Sequence, residues 1–416
     1  MIPFEQRREI LERVSQTFGT PSYVYFLDDI RERAADLRTA FAHRFRLSYA
    51  IKANPNLKLL ERLRTPDLNI DAFDISSGGE LRRALAAGCS PSQLSFTGPG
   101  KRDAELSAAV DAGIGEVVVE SVAEACRLAS IAKAAGRIQR VLIRLAPKRV
   151  PKGFGLNLAG KPTQFGIDEE ECLAAILEVK QLDDLELAGF HIYSGTQCLD
   201  EGAIVENWSL YAALFQEVCV AHDLRPRKLV FGAGMGIPYY DHDLPLELLD
   251  VASGIQPILE TLTAQSRFGE TELHLELGRY LVGEAGDYVT SVVHKKPSRG
   301  TLMVVCDGGM NHHLAAAGHF GQVIPRNFRL FRVTKPSPLA VETAHQVCGP
   351  LCTTIDTLGR NLRMPELEVG DVIGIPSSGA YGLTASPTAF IGHDAPREVL
   401  VTRNALGDFD LEEISA

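Results

Sequence analysis

Residues 116–146 read EVVVESVAEACRLASIAKAAGRIQRVLIRLA. A short β-branched run, EVVVES (116–121), passes into VAEACRLASIAKAAG (122–136), whose apolar residues recur at helical spacing, and then into a second β-branched run, RVLIRLA (140–146). Two such runs joined by a helix form a βαβ unit, which implies parallel strands. The same grammar extends outward in both directions. LSYAIKA (47–53), IDAFDIS (70–76) and LSFTG (94–98) come before it, and LAGFHIYSG (187–195), LVFGAG (229–234) and LHLELG (273–278) come after it, with helical segments such as GELRRALAAG (79–88) between. Eight strands with intervening helices over about 230 residues is the arithmetic of an α/β fold of the (β/α)8, or TIM-barrel, type.

Beyond residue 279 the pattern changes to short alternating runs broken by Gly and Pro: YVTSVVH, LMVVCDG, FRLFRV, HQVCG, DVIGIP, AFIG and EVLVT. These predict a C-terminal antiparallel β domain. The expected organisation is an N-terminal segment, 1–27, whose YVYF run (23–26) pairs with the β domain, then a barrel over 28–278 and the β domain over 279–416.

Composition narrows the function. Forty-two Lys and Arg against 53 Asp and Glu leave a net charge of −11 with no basic block, which argues against a nucleic-acid partner. No apolar run approaches the roughly 20 residues of a membrane span. The opening MIPFEQRREI carries two acids and two arginines where a secretory signal would place its apolar core, so a cytoplasmic location is expected. The eight cysteines (89, 126, 172, 198, 219, 306, 348 and 352) include no CxxC pair and no His at ligand spacing, which fits neither a disulfide scaffold nor a metal site. Most are expected to be small buried hydrophobes.

A parallel barrel places its active site at the C-terminal ends of the strands. The residues gathered there are Lys52, the SSGGE loop (76–80), Arg144, His191 and Ser194, the FGAGMG loop (231–236), and Glu276 with Arg279. Lys52 follows the apolar YAI, which predicts a partly desolvated amine suited to Schiff-base chemistry; position alone also allows a rim lysine in an ion pair. Gly232, Gly234 and Gly236 let backbone amides approach an anion. A dinucleotide site is the usual competitor for such a loop, but these glycines follow the seventh strand, where barrels bind phosphate. Arg279 and Ser194 are placed to complete that site.

Ten motifs occur in order: YAIKANPN (49–56), FDISSGGEL (73–81), SFTGPGK (95–101), KPTQFGID (161–168), HIYSGTQ (191–197), FGAGMGIPY (231–239), ELGRYLVGEAG (276–286), CDGGM (306–310), CGPLC (348–352) and GAYG (379–382). On these the chain resembles the fold-type III pyridoxal 5'-phosphate (PLP) decarboxylases of the diaminopimelate, ornithine and arginine group, built on an alanine racemase-like barrel. The resemblance implies that Lys52 holds PLP, His191 stacks on the pyridine ring and Glu276 pairs with its protonated nitrogen. It also implies that Ser194, Gly232, Ala233, Gly234, Gly278, Arg279 and Tyr381 complete the cofactor site, most of them at the phosphate. Related racemases carry an arginine where Glu276 stands, so the acid points to decarboxylation, releasing carbon dioxide and an amine. Cys352 matches the family's proton donor, which arrives from the partner subunit and so implies a homodimer with shared active sites.

Several residues depart from the pattern. Thr353 stands where diaminopimelate and ornithine decarboxylases place an acid that grips the distal ammonium. An Arg-Pro pair that holds a distal carboxylate is replaced by MNHHLAAAGHFGQVIPRNF (310–328). Leu277 replaces a proline, and Tyr193 replaces a glycine beside the phosphate loop. These features resemble a side branch of siderophore, exosortase-associated and butirosin-type acyl-carrier-protein decarboxylases. The expected substrate is therefore a specialised amino acid or a conjugate, including one borne on a carrier protein. Thr353, His312, His313, His319 and Arg326 are the candidates to read its distal group. The alternatives are a diaminopimelate decarboxylase of lysine biosynthesis and an amino-acid racemase on the same fold.

Overall fold

The structure, a computed structural model, describes residues 1–322, 326–337 and 339–415. It divides into two compact units: Ala34–Gly236 with Pro245–Gly278, and Met1–Arg33 with Ile237–Leu244 and Arg279–Ala416.

The first unit is a closed parallel barrel. Its strands are β1 (Phe45–Ala50), β2 (Ala72–Ile75), β3 (Leu94–Phe96), β4 (Glu116–Val119), β5 (Gln139–Ala146), β6 (Leu185–Ile192), β7 (Lys228–Gly232) and β8 (Glu272–Leu277). Each pairs in parallel with the next, and β8 closes on β1 with Leu275 opposite Leu47. Strands covered on both faces need continuous rather than alternating hydrophobicity, which is why runs such as VVV and VLI read so clearly. Val118, Leu142, Ala188 and Val230, one from each of four consecutive strands, form a buried cluster.

The helices that return the chain are started by their own side chains. In α1 (Gly78–Ala86), Ser77 accepts from the Glu80 amide and Glu80 Oε2 accepts from Ser76 N at 2.6 Å. In α2 (Val122–Ala134), Ser121 and Glu124 repeat the arrangement, Glu124 Oε2 accepting from Glu120 N at 2.8 Å. Both are S-x-x-E starts that satisfy amides the helix cannot.

In the second unit a mixed sheet gathers β9 (Gly286–Ser298), β10 (Thr301–Cys306), β11 (Glu342–Cys348), β12 (Thr357–Pro365), β13 (Val372–Ile375), β14 (Arg397–Arg403) and β15 (Phe409–Glu413). The strand Ser22–Phe26 lies within it, antiparallel to β9 and parallel to β14. β10 and β11 are also parallel. The sheet is thus mixed where an antiparallel one was expected, because alternation reports that one face is buried but not which way a neighbour runs. The helix Phe4–Phe18 packs Ile10, Leu11 and Val14 onto Val24, Val289 and Val399. Its Arg7 pairs with the buried Asp29 and Asp287, at 2.8 and 2.6 Å. Among the described residues no helix is long and apolar enough to cross a membrane.

Candidate active site

The barrel strands end in charged and polar residues. Strand β1 stops at Ala50, so Lys52 falls in the short turn Ile51–Ala53 rather than in the strand. Its side chain is 43% exposed, with Nζ 4.0 Å from Asp74 Oδ2. Asp74, near the end of β2, is buried and both its oxygens lie 2.9 Å from the Thr97 hydroxyl. Burial raises its pKa well above the carboxylate range, Glu276 adds to that, and Lys52 and Thr97 oppose it.

On the neighbouring side of β1, His191 near the end of β6 meets Glu276 near the end of β8, which pairs with β1, Nε2 to Oε2 at 2.7 Å. Both are buried. Burial by itself would push Glu276 upward, but the His191 hydrogen bond together with the charges of Lys52 and Arg144 outweighs it and brings the pKa down to about 2. Glu276 is therefore an ionised carboxylate at neutral pH. His191 is shifted down, burial exceeding the pull of Glu276, so its imidazole is neutral.

Ser194 is fully buried and held from α3 (Glu201–Ala221): its hydroxyl lies 2.6 Å from Tyr211 Oη and donates to Asn207 Oδ1 at 2.9 Å. The glycine turn follows β7. Gly234 has φ +68°, and a Cβ there would stand 2.7 Å from the Phe154 ring; at Gly232 it would stand 2.5 Å from Tyr193. Only glycine fits either place. The Ala233 amide donates to Glu276 O at 2.8 Å, which ties the turn to β8. At Gly278 a Cβ would stand 2.8 Å from that of Ala53, beside the Lys52 turn.

The other unit carries the remaining candidates. The Arg279 guanidinium lies 4.8 Å from the Tyr381 ring and donates to the Tyr239 hydroxyl. Cys352 is exposed and Thr353 half-buried on a loop built around Asp356, whose carboxylate accepts from Met310 N at 2.6 Å and Leu351 N at 2.8 Å. His312 and His313 are buried within this unit. His312 contacts Asp394 O and Asn311, each at 3.0 Å. His313 reaches Ser378 Oγ at 2.9 Å, and burial lowers its pKa to about 3. His319 bonds to Ile355 O at 3.0 Å, and the Arg326 guanidinium lies 3.7 Å from the Tyr240 ring centre. Residues 323–325 of the 310–328 stretch lie outside the described residues.

Sequence reasoning missed Asp74, Thr97, Asn207 and Tyr211. The first two stand at barrel strand ends and were within reach of the same rule that selected Lys52. The last two act through a helix fold-back that no local pattern announces. The sequence also did not suggest that His191 and Glu276 bond to each other.

Three observations fit an aromatic phosphate cofactor such as PLP in the barrel. His191 Nδ1 is buried with no hydrogen-bond partner among the described residues. An ionised carboxylate, suited to a ring nitrogen, stands beside it. A turn that tolerates only glycine at 232 and 234 is suited to phosphate.

Comparison with known proteins gives a consistent picture. The family described as Pyridoxal-dependent decarboxylase, pyridoxal binding domain, matches residues 27–283. The chain is 33% identical over 389 residues to the L-glutamyl-BtrI acyl-carrier-protein decarboxylase of Niallia circulans, covering 93% of this chain and 90% of that protein. It is 32% identical over 373 residues to the diaminopimelate decarboxylase of Helicobacter pylori, covering 89% and 88%. The crystal structure of diaminopimelate decarboxylase from Helicobacter pylori complexed with L-lysine superposes with a TM-score of 0.82 at 30% identity, covering 97% of this chain and 95% of that one.

Proposed function

The chain belongs to the pyridoxal-dependent decarboxylases, PLP-requiring carboxy-lyases, and on that premise we propose that it removes the α-carboxylate of an amino acid presented as a conjugate in a biosynthetic pathway. When bound, PLP supplies the electron sink that accepts the pair left behind by departing carbon dioxide. Lys52 would hold the cofactor through its amine. Glu276, held ionised, keeps a proton on the pyridine nitrogen, and His191 packs on the ring face. Ser194 and the Gly232–Gly234 turn take the phosphate, with Gly278, Arg279 and Tyr381 assigned to the cofactor by the family motifs. Cys352 delivers the proton that replaces carbon dioxide, acting in a homodimer on the partner's site. The enzyme is placed in the cytoplasm.

The observation that carries this reading is Glu276, an acid buried near Lys52 and locked to His191 at 2.7 Å. An arginine there would suit racemisation. The conjugate is favoured by the neutral Thr353 next to Cys352, which supplies no charge for a free distal ammonium, and by the likeness to a decarboxylase of a glutamyl carrier protein. A second reading, decarboxylation of free diaminopimelate, is favoured by the 32% identity to the Helicobacter pylori enzyme.

Carbon dioxide release from free meso-diaminopimelate, ornithine, lysine, arginine and glutamate, measured beside citryl-diaminopropionate and glutamyl-loaded carrier protein, separates the two. Turnover confined to conjugates is expected, and fast turnover of free diaminopimelate overturns it. Lys52→Ala should abolish every activity in the panel together with the visible absorbance of the Schiff base; a Lys52→Ala enzyme as active as the wild type would sink the assignment.

A further inference from the structure

Glu120 is none of the residues assigned above, yet several parts of the barrel's C-terminal face converge on it. It directly follows β4 and is 7% exposed. Its Oε1 accepts from Gly98 N at 2.8 Å and from Arg144 Nη1 at 3.1 Å, and its Oε2 accepts from Gly166 N at 2.9 Å. Its amide donates to Glu124 Oε2, and Glu124 Oε1 is 2.6 Å from Lys101 Nζ, a lysine with no exposed side-chain surface that also donates to Gly98 O. Gly98 lies in the loop after β3, and Gly166 ends the long excursion, 147–166, that follows β5. One carboxylate thus ties its own loop to the loops after β3 and β5 and to an arginine.

Two of those connections lead to the glycine turn. Arg144 donates through Nη2 to Tyr193 O at 3.3 Å, and the Tyr193 ring occupies the space beside Gly232. The excursion ending at Gly166 lays Phe154 against Gly195 and Gly234, and it donates from Leu158 N to Ser194 O at 2.7 Å and from Gly155 N to Thr196 O at 3.0 Å. The backbone on both sides of Ser194 is therefore held by elements that end on Glu120.

We propose that Glu120 is a positioning residue that sets the phosphate-holding turn, through Arg144 on one side and the 147–166 excursion on the other. This rests on the reading that Ser194 and Gly232–Gly234 receive the PLP phosphate. The charge matters as well as the shape. Arg144 is buried, and replacing its carboxylate partner by an amide removes its ion-pair partner and puts NH2 against one of the amides now donating to the carboxylate.

The test is titration of the apoprotein with PLP and, separately, with pyridoxal, which has the same aldehyde and ring but no phosphate. Visible absorbance of the Lys52 adduct is the readout. Glu120→Gln should raise the Kd for PLP about tenfold, the scale of one charge-assisted hydrogen bond, and leave the Kd for pyridoxal within about twofold of wild type. A general loss of structure would weaken both ligands together. If Glu120→Gln does not fold, Glu120→Asp carries the same comparison, since its shorter carboxylate must release at least one of its three donors. Equal weakening of both ligands, or an unchanged Kd for PLP, overturns the proposal and leaves the cofactor assignment standing. A wild-type protein that takes up no PLP overturns the cofactor reading and this proposal with it.

Discussion

Among single residues, the chemistry turns on which acids keep their charge. Asp74 and Glu276 are both buried near Lys52, yet they are driven in opposite directions: Asp74 upward by burial and by Glu276, Glu276 downward by His191, Lys52 and Arg144. The two carboxyls are thus driven apart in acidity, an arrangement suited to dividing acid and base roles. Glu276→Gln should lower the turnover number by about a hundredfold or more, because a positioned charge aimed at the reacting system is lost. A loss under threefold in steady-state assays would remove Glu276 from the chemistry. His313 provides a test at the same scale that does not depend on catalysis. Its folded pKa of about 3 lies below the ordinary histidine value of 6.5, so the unfolded chain binds the extra proton between those two pH values. Stability must then fall as pH drops through that window, by about 1.4 kcal/mol per pH unit from this residue. His313→Gln should flatten the dependence of Tm on pH between 6 and 4, and parallel curves for the two proteins would refute the effect.

For the secondary elements, legibility depended on whether a requirement was local. Fully buried parallel strands announce themselves by composition, and the S-x-x-E helix starts at Ser77 and Ser121 need only four residues of sequence. The glycine turn after β7 was legible for the same reason, since its close contacts and the positive φ at Gly234 demand residues without side chains. Gly234→Ala tests how strict that demand is. With φ at +68° and the Phe154 ring 2.7 Å from the new Cβ, the substitution should cost about 1–3 kcal/mol and weaken PLP binding. Thermal melts and apoprotein titration read both, and an alanine variant with wild-type values in each would show that the turn has room to move. What stayed hidden was support from a distance. Asn207 and Tyr211 on α3 secure Ser194, and Phe154, from the 147–166 excursion, packs against the turn. Neither leaves a periodic trace.

In the whole molecule, the proposed role of Cys352 at the active site of a second subunit can be tested by mixing. Lys52→Ala and Cys352→Ala should each be inactive alone. Random reassociation makes half the dimers hybrid, each with one intact site, so about a quarter of wild-type activity should return. No recovery after documented subunit exchange would confine each site to one chain. The sequence by itself determined the barrel, its closing count of eight strands, and the gathering of Lys52, the glycine turn and Glu276 at the strand ends. Each of these is imposed by short-range demands: burial on both faces, absence of a side chain, or one charge at a strand end. Only the tertiary structure decided that Ser22–Phe26 runs parallel to β14, that His191 bonds to Glu276, that His312 and His313 are buried, and that Glu120 ties together the loops after β3 and β5. Those facts depend on partners tens to hundreds of residues away, and strand direction, burial and pairing at that range follow from how the chain closes on itself rather than from any local pattern.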